Sequence, residues 1–199
     1  VSFRPTQGVE VTVVSRGDST LRGHFPGDLL ALEKVTHDAW ILAPFFQAGG
    51  RITAGDVHYK NASPTLTPVG ETEFARDAAF GYKSSHLFDW LREKAAGLGK
   101  SMSDDNIDGL RAVERVETVV SVSLEDLREG GPAAVRARLR EAQGGCVVVN
   151  SVDQRDLQVF VKGVLEEELQ GRRFLFRTAA DFVATRGAVD PRPLLERED

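Results

Sequence analysis

A chain of 199 residues, 41% of them hydrophobic and 28% charged, has enough apolar material to bury the core of one globular domain. Its 25 Lys+Arg against 30 Asp+Glu leave a formal charge of −5 with no basic block, so a nucleic-acid partner has no electrostatic support. No apolar run approaches the roughly 20 residues that span a bilayer, and no signal-peptide pattern opens the chain. The single cysteine, Cys146, excludes a disulfide within the monomer; no membrane partner and a cytoplasmic location are the expectations.

Val9, Val11, Val13 and Val14 make a β-branched run that predicts a first strand ending in polar residues. Phe25, Leu29, Leu32 and Val35 then recur at helical spacing, with Pro26 and Asp28 suited to the first turn. The loop between them, from Arg16 to Phe25, thus lies at the carboxyl end of a strand and the amino end of a helix, where open α/β sheets bind ligands. It concentrates Arg16, Gly17, Asp18, Ser19, Thr20, Arg22, Gly23 and His24. The same residues also admit a structural reading, in which Arg16 pairs with Asp18, Ser19 or Thr20 caps a turn and the glycines supply positive φ.

Ala39 to Ala43 is an apolar run of the kind that forms an interior strand of a parallel sheet, and Pro44 ends it. Phe45 to Asp77 reads as a long irregular segment, with Asp56–Tyr59 and Leu66–Val69 pairing as a small hairpin around residues 61–64. Arg51 and His58 are its ligand candidates, although a solvated Arg51 and a packed His58 fit the residues equally well. A helix is predicted over Ser85–Ala96, a polar stretch over Gly97–Gly109 and an alternating strand over Val116–Val122. Ala133–Ala142 follows as a helix closed by Gly144 and Gly145, then Cys146–Val149 as a strand with a buried thiol. Asp156–Leu169 is a long amphipathic helix, Phe174–Arg177 a last strand and Ala179–Thr185 a last helix. Strands alternating with helices predict a three-layer, Rossmann-like α/β fold, a mostly parallel sheet with helices on both faces.

Several motifs stop short. Gly97-Leu98-Gly99-Lys100-Ser101 resembles the tail of a P-loop but follows a helix and has Lys94 where the first glycine belongs. Gly17-Asp18-Ser19-Thr20-Leu21 lacks the second glycine of a nucleophile elbow, and His24 is a weak choice of base for a Ser19 hydrolase. His24, His37, His58 and His86 show no metal spacing, His37 and His86 read as solvated, and no G-x-G-x-x-G follows the first strand.

The string SRGDSTLRGHFPGD resembles the DSTLRGH signature of the four-carbon acid sugar kinase family, DUF1537. ILAPFFQAGGRITAGDVHYKNASPTLTPVGETEFARD and VVVNSVDQRDLQVFVKGVLEEELQGRRFLFRTAADFVA are similar to two further segments of that family, so the resemblance covers most of the chain. It implies that residues 1–199 form a single domain like the substrate-binding N-terminal domain, without the C-terminal nucleotide-binding domain. It also implies that a DDLTGA-like acidic motif belongs upstream; with Val1 in place of an initiator methionine, the chain reads as a truncated segment. The implied activity is ATP-dependent phosphorylation of a four-carbon sugar acid (threonate, erythronate or 3-oxo-tetronate type) at its terminal hydroxyl. ATP and Mg²⁺ serve the full-length enzyme and are not expected on this chain, which on its own is expected to be inactive. The expected substrate-binding set is Arg16, Asp18, Ser19, Thr20, Arg22, Gly23, His24 and Arg51, with Asp18 the one candidate for a catalytic role. A planar guanidinium, from Arg22 or Arg16, suits the carboxylate, and a homo-oligomer is compatible with the sequence. The alternative is a non-catalytic binding or effector-type protein of the same family.

Overall fold

The computed structural model describes residues 11–33, 37–62, 64–100 and 107–189. In chain order the elements are β1 (Val14–Arg16), α1 (Gly27–Leu32), β2 (Ala39–Ala43), β3 (Arg51–Ala54), β4 (Val57–Ala62), β5 (Thr65–Pro68), α2 (Leu87–Lys100) and α3 (Ile107–Glu117). They continue with β6 (Val119–Val122), α4 (Gly131–Glu141), β7 (Cys146–Val149), α5 (Gln154–Glu168), β8 (Phe174–Thr178) and α6 (Ala180–Arg186). Five strands form one sheet in the order β1-β8-β2-β7-β6, every neighbouring pair parallel. The predicted three-layer parallel α/β fold is therefore observed.

Burial follows from position in the sheet. β2, β7 and β8 are buried at every residue, because helices cover both faces and leave no side for polar alternation. The edge strand β6 keeps the alternation expected of a half-covered strand. Successive side chains along β2 feed opposite layers. Ala39, Ile41 and Ala43 pack with Val135, Leu139, Leu157, Phe160, Val164 and Phe182 of α4, α5 and α6, while Trp40 and Leu42 pack with Leu29, Leu87, Trp90, Ala112 and Val116 of α1, α2 and α3.

The α4–α5 seam is close because Gly163 presents no side chain to Val135. Next to it, the buried Glu167 carboxylate accepts from Arg136 Nε at 2.9 Å and Arg140 Nη2 at 2.7 Å. Asp153 caps α5 through a reciprocal capping box with Asp156.

Three boundaries differ from expectation. Residues 51–77 are more ordered than an irregular segment with one hairpin: β3, β4 and β5 form a three-stranded antiparallel sheet, of which β3 escaped notice because Arg51–Ala54 has only one large apolar residue. Both described ends of the expected Gly97–Gly109 polar stretch are helical, since α2 runs on to Lys100 and α3 begins at Ile107, and Val116 belongs to α3; Ala112 and Val116 are one turn apart and buried on the same face. α1 has only six residues, since Phe25 is spent on packing against Trp40 and Trp90 before the helix begins. Val9, Val35, Ser63 and Ser101 lie outside the described residues.

Candidate functional site

The loop from Gly17 to Pro26 leaves the carboxyl edge of β1, and the Gly17 amide donates to the carbonyl of Thr178 at the end of β8, 2.7 Å away. Asp18 organises it from inside. Its carboxylate accepts from the Thr20 amide at 3.0 Å, the Thr20 hydroxyl at 2.6 Å and Arg22 Nε at 2.6 Å. Burial alone would raise the Asp18 pKa, but the bonds from Thr20 and Arg22 outweigh it and hold the carboxyl below its ordinary value. In this geometry Asp18 orients Arg22.

Three buried side chains, each from a different part of the chain, hold the loop from outside. His58 Nε2 on β4 lies 2.8 Å from the Ser19 carbonyl, the Tyr82 hydroxyl donates to the Thr20 carbonyl at 2.6 Å, and Arg177 Nη2 on β8 donates to the Arg22 carbonyl at 2.7 Å. A carbonyl only accepts, so His58 carries its proton on Nε2 and its Nδ1 accepts from the Thr53 hydroxyl at 2.9 Å. Burial lowers the His58 pKa to about 4, assisted by the Arg51 charge and opposed by the bond to Ser19. His58 is thus packed and structural, the plainer of its two readings. Because it grips the carbonyl of Ser19, it offers the hydroxyl no base, and a Ser19 hydrolase gains no support.

The small sheet that carries His58 is itself bolted to the large one. Thr53 and Ser151 exchange backbone hydrogen bonds of 2.9 and 3.0 Å. At the β3–β4 turn, Asp56 (φ 61°) accepts from Ser121 at 2.6 Å and from Asn150 Nδ2 at 2.8 Å, and its amide donates to Asn150 Oδ1 at 2.9 Å.

The same sheet brings a second cation to the loop. The Phe74 ring, in a short 3₁₀ turn, has Arg22, Arg51 and Lys60 at 5.2, 5.3 and 5.0 Å from its centroid. Two of these charges have carboxylate partners: Arg22 pairs with Asp18 and, at 3.4 Å, with Asp77, while Lys60 pairs with Glu73 at 3.0 Å. Arg51 donates only to the Gly49 carbonyl, has no carboxylate partner among the described residues, and leaves a buried Nε without an acceptor. It is the uncompensated cation of the group.

Of the residues expected from sequence, Asp18, Thr20 and Arg22 are bonded to one another, Ser19 adjoins them with a hydroxyl that has no partner among the described residues, and Arg51 joins them across Phe74. Gly23 supports the turn with φ 123°, where a side chain would be strained. Arg16 is exposed at the end of β1 and makes no ion pair with Asp18; His24 is exposed and stacks edge-on against Phe80 at 4.8 Å. Neither is drawn into the cluster. Tyr82, Phe74, Asp77 and Arg177 were not anticipated. Only Arg177 left a signal, as a charge inside the apolar string FLFRT.

Two open clefts of about 360 and 380 Å³ lie off this loop, one at the amino edge of the large sheet lined by His37, Arg111, Arg115 and Gly144, the other beside Lys60, Thr67 and Arg76. Cys146 is buried and its thiol is pushed up to about 12 by burial, which makes it inert as a nucleophile. Among the described residues no group of three or more His, Cys, Asp or Glu could hold a metal ion, and the segment resembling a P-loop tail is helical through Lys100. No described helix is long and apolar enough to cross a membrane.

The structure is thus a parallel α/β domain with a pinned, cation-bearing loop at the carboxyl edge of its sheet, the edge at which open α/β sheets receive ligands. The family model described as "Sugar-binding N-terminal domain" matches residues 2–186, and the chain belongs to that family, the N-terminal domain of the DUF1537 four-carbon acid sugar kinases. The D-threonate kinase of Salmonella typhimurium is 26% identical over 156 residues, which are 78% of this chain and 31% of that enzyme. Among solved structures, a DUF1537 protein from Bordetella bronchiseptica, a domain-swapped dimer with bound citrate, superposes with a TM-score of 0.61 at 20% identity over 89% of this chain and 37% of its own. A DUF1537-family protein from Haemophilus influenzae gives a TM-score of 0.57 at 16% identity over 87% and 36% of the two chains. The chain thus spans about a third of the length of these relatives.

Proposed function

We propose that this chain binds a four-carbon sugar acid of the threonate, erythronate or 3-oxo-tetronate type, as the acid-binding portion of an ATP-dependent kinase that phosphorylates the terminal hydroxyl. The observation that carries this reading is the meeting of Arg51 and Arg22 on Phe74, with Ser19 in the same loop as Arg22. Arg51 supplies the uncompensated charge for the carboxylate, and Arg22, aimed by Asp18, supplies a second planar donor set. Ser19 meets a hydroxyl of the acid. Phe74 gives both guanidinium groups an apolar backing that strengthens their bonds to a desolvated anion. The likeness to a D-threonate kinase and the citrate bound by the Bordetella protein support an acid as the ligand. Phosphoryl transfer needs ATP and Mg²⁺ in the full-length enzyme, and the part proposed for this chain is to bind and orient the acid.

Calorimetric titration with threonate and erythronate tests the reading. A partial site is expected to bind in the millimolar range, about −4 kcal/mol. Arg51→Ala and Arg22→Ala are each expected to cost on the order of 1.5–3 kcal/mol, enough to abolish measurable heat, and Lys at either position is expected to recover little. Wild-type affinity in both alanine variants would place the carboxylate elsewhere, with Arg16 the next residue to test.

A further inference from the structure

We propose that Arg177 is a positioning residue for the acid-binding loop: from β8, next to the edge strand β1, its guanidinium fixes the carbonyl of Arg22, and Gly17, with no side chain, leaves it the room to reach. The inference rests on the acid-binding reading for its consequence, but its geometric basis is separate.

Arg177 lies on β8, between β1 and β2, and is 3% exposed. Its known partners are few for a buried guanidinium: Nη2 donates to the Arg22 carbonyl at 2.7 Å, Nε lies 3.7 Å from Asp28 Oδ2, too far for a hydrogen bond, and Nε has no acceptor. A buried charge compensated this thinly does little for stability, and an apolar residue of similar volume at such a site is often neutral or stabilising. Its neighbours explain its presence better. A Cβ placed on Gly17 would overlap the Arg177 guanidinium, and one on Gly23 would touch Nη2 at 3.5 Å. The two loop glycines thus flank one side chain, which seizes the carbonyl of the residue whose own side chain Asp18 orients. Backbone from below and carboxylate from within together set the direction of Arg22. Asp28, at the start of α1, faces the same guanidinium and ties the far end of the loop to it.

The test reads loop geometry and ligand affinity separately in the 199-residue chain. In Arg177→Met, the amide resonances of residues 17–24 are expected to shift or broaden while those of α4, α5 and β7 hold. The melting temperature is expected to stay level or rise, and threonate affinity to fall roughly ten- to a hundred-fold. Gly17→Ala is expected to disturb the same loop amides in the wild-type background, and much less when combined with Arg177→Met, because the obstructing guanidinium is gone. This pair also decides the matter should Arg177→Met fold poorly, through the loop spectrum of Gly17→Ala alone. A loop spectrum unchanged in both single variants overturns the proposal, as does affinity lost only in proportion to a global loss of stability. If the wild-type chain binds no hydroxy acid, the functional reading fails, and the loop spectra still decide the role of Arg177.

Discussion

His58 shows how one buried side chain ties loop geometry to pH. It is fully buried, donates through Nε2 to the Ser19 carbonyl, and takes up a proton only near pH 4, against an ordinary value of 6.5. Below about pH 6.5 the unfolded chain therefore binds a proton that the folded chain refuses, so stability falls as pH drops through the window from 6.5 to 4. The loss by pH 5 is expected to be about 2 kcal/mol from the linkage relation. Urea unfolding at pH 7.5, 6 and 5 measures it, with His58→Gln as the control: the variant is expected to be less stable at neutral pH but to lose this slope. A wild-type midpoint that is flat across the window would mean that His58 titrates in the folded chain as it does in the unfolded one, and is not buried.

At the scale of elements, two helical glycines separate intrinsic propensity from packing. Gly97 on α2 has open space where a Cβ would sit, so Gly97→Ala is expected to stabilise by about 0.5–1 kcal/mol through backbone entropy alone. Gly163 on α5 offers the same propensity gain, but a Cβ there would lie 2.6 Å from Val135 Cγ1 and 3.1 Å from the Pro132 carbonyl. Overpacking costs of roughly 1–3 kcal/mol exceed the gain, and Gly163→Ala is expected to destabilise. Chemical denaturation of both variants should give midpoint shifts of opposite sign; a shared sign would contradict the packing of α4 on α5.

The same scale shows what could be read from the chain without its coordinates. β2, β7 and β8 were legible because strands buried on both faces are apolar throughout, and Phe174–Arg177 was recognisable despite its arginine. α3 was not: Leu110, Val113 and Val116 recur at helical spacing, but the polar stretch before them and the β-branched run from Val116 to Val122 after them obscured the helix. β3 is a short strand whose partners come from its own hairpin and from Ser151, a hundred residues on, and periodicity cannot register such pairing. The loop chemistry was legible as residue types but not as wiring. That Asp18 would choose Arg22 over Arg16, and that His58, Tyr82 and Arg177 would each take one loop carbonyl, depends on contacts between distant segments.

For the whole molecule, the loop sits at the carboxyl edge of one sheet and is latched by another, so an anion site can be preorganised before any ligand arrives. On the resemblance to the family's N-terminal domain, the 199-residue chain with Mg²⁺ and ATP is expected to phosphorylate neither threonate nor erythronate. Phosphorylated acid detected by mass spectrometry from the purified chain would refute that expectation.

A small hydroxy acid is expected to settle on Arg22 and Arg51, and an assigned ¹H–¹⁵N spectrum recorded during threonate titration, with the arginine side-chain signals followed alongside the amides, reads this out residue by residue. Saturable shifts are expected at Ser19, Arg22, Gly23, Arg51 and Phe74, with the signals of the amino-edge cleft around Arg111 and Gly144 unmoved. Shifts confined to that cleft, or none at millimolar threonate in a folded chain, would contradict it.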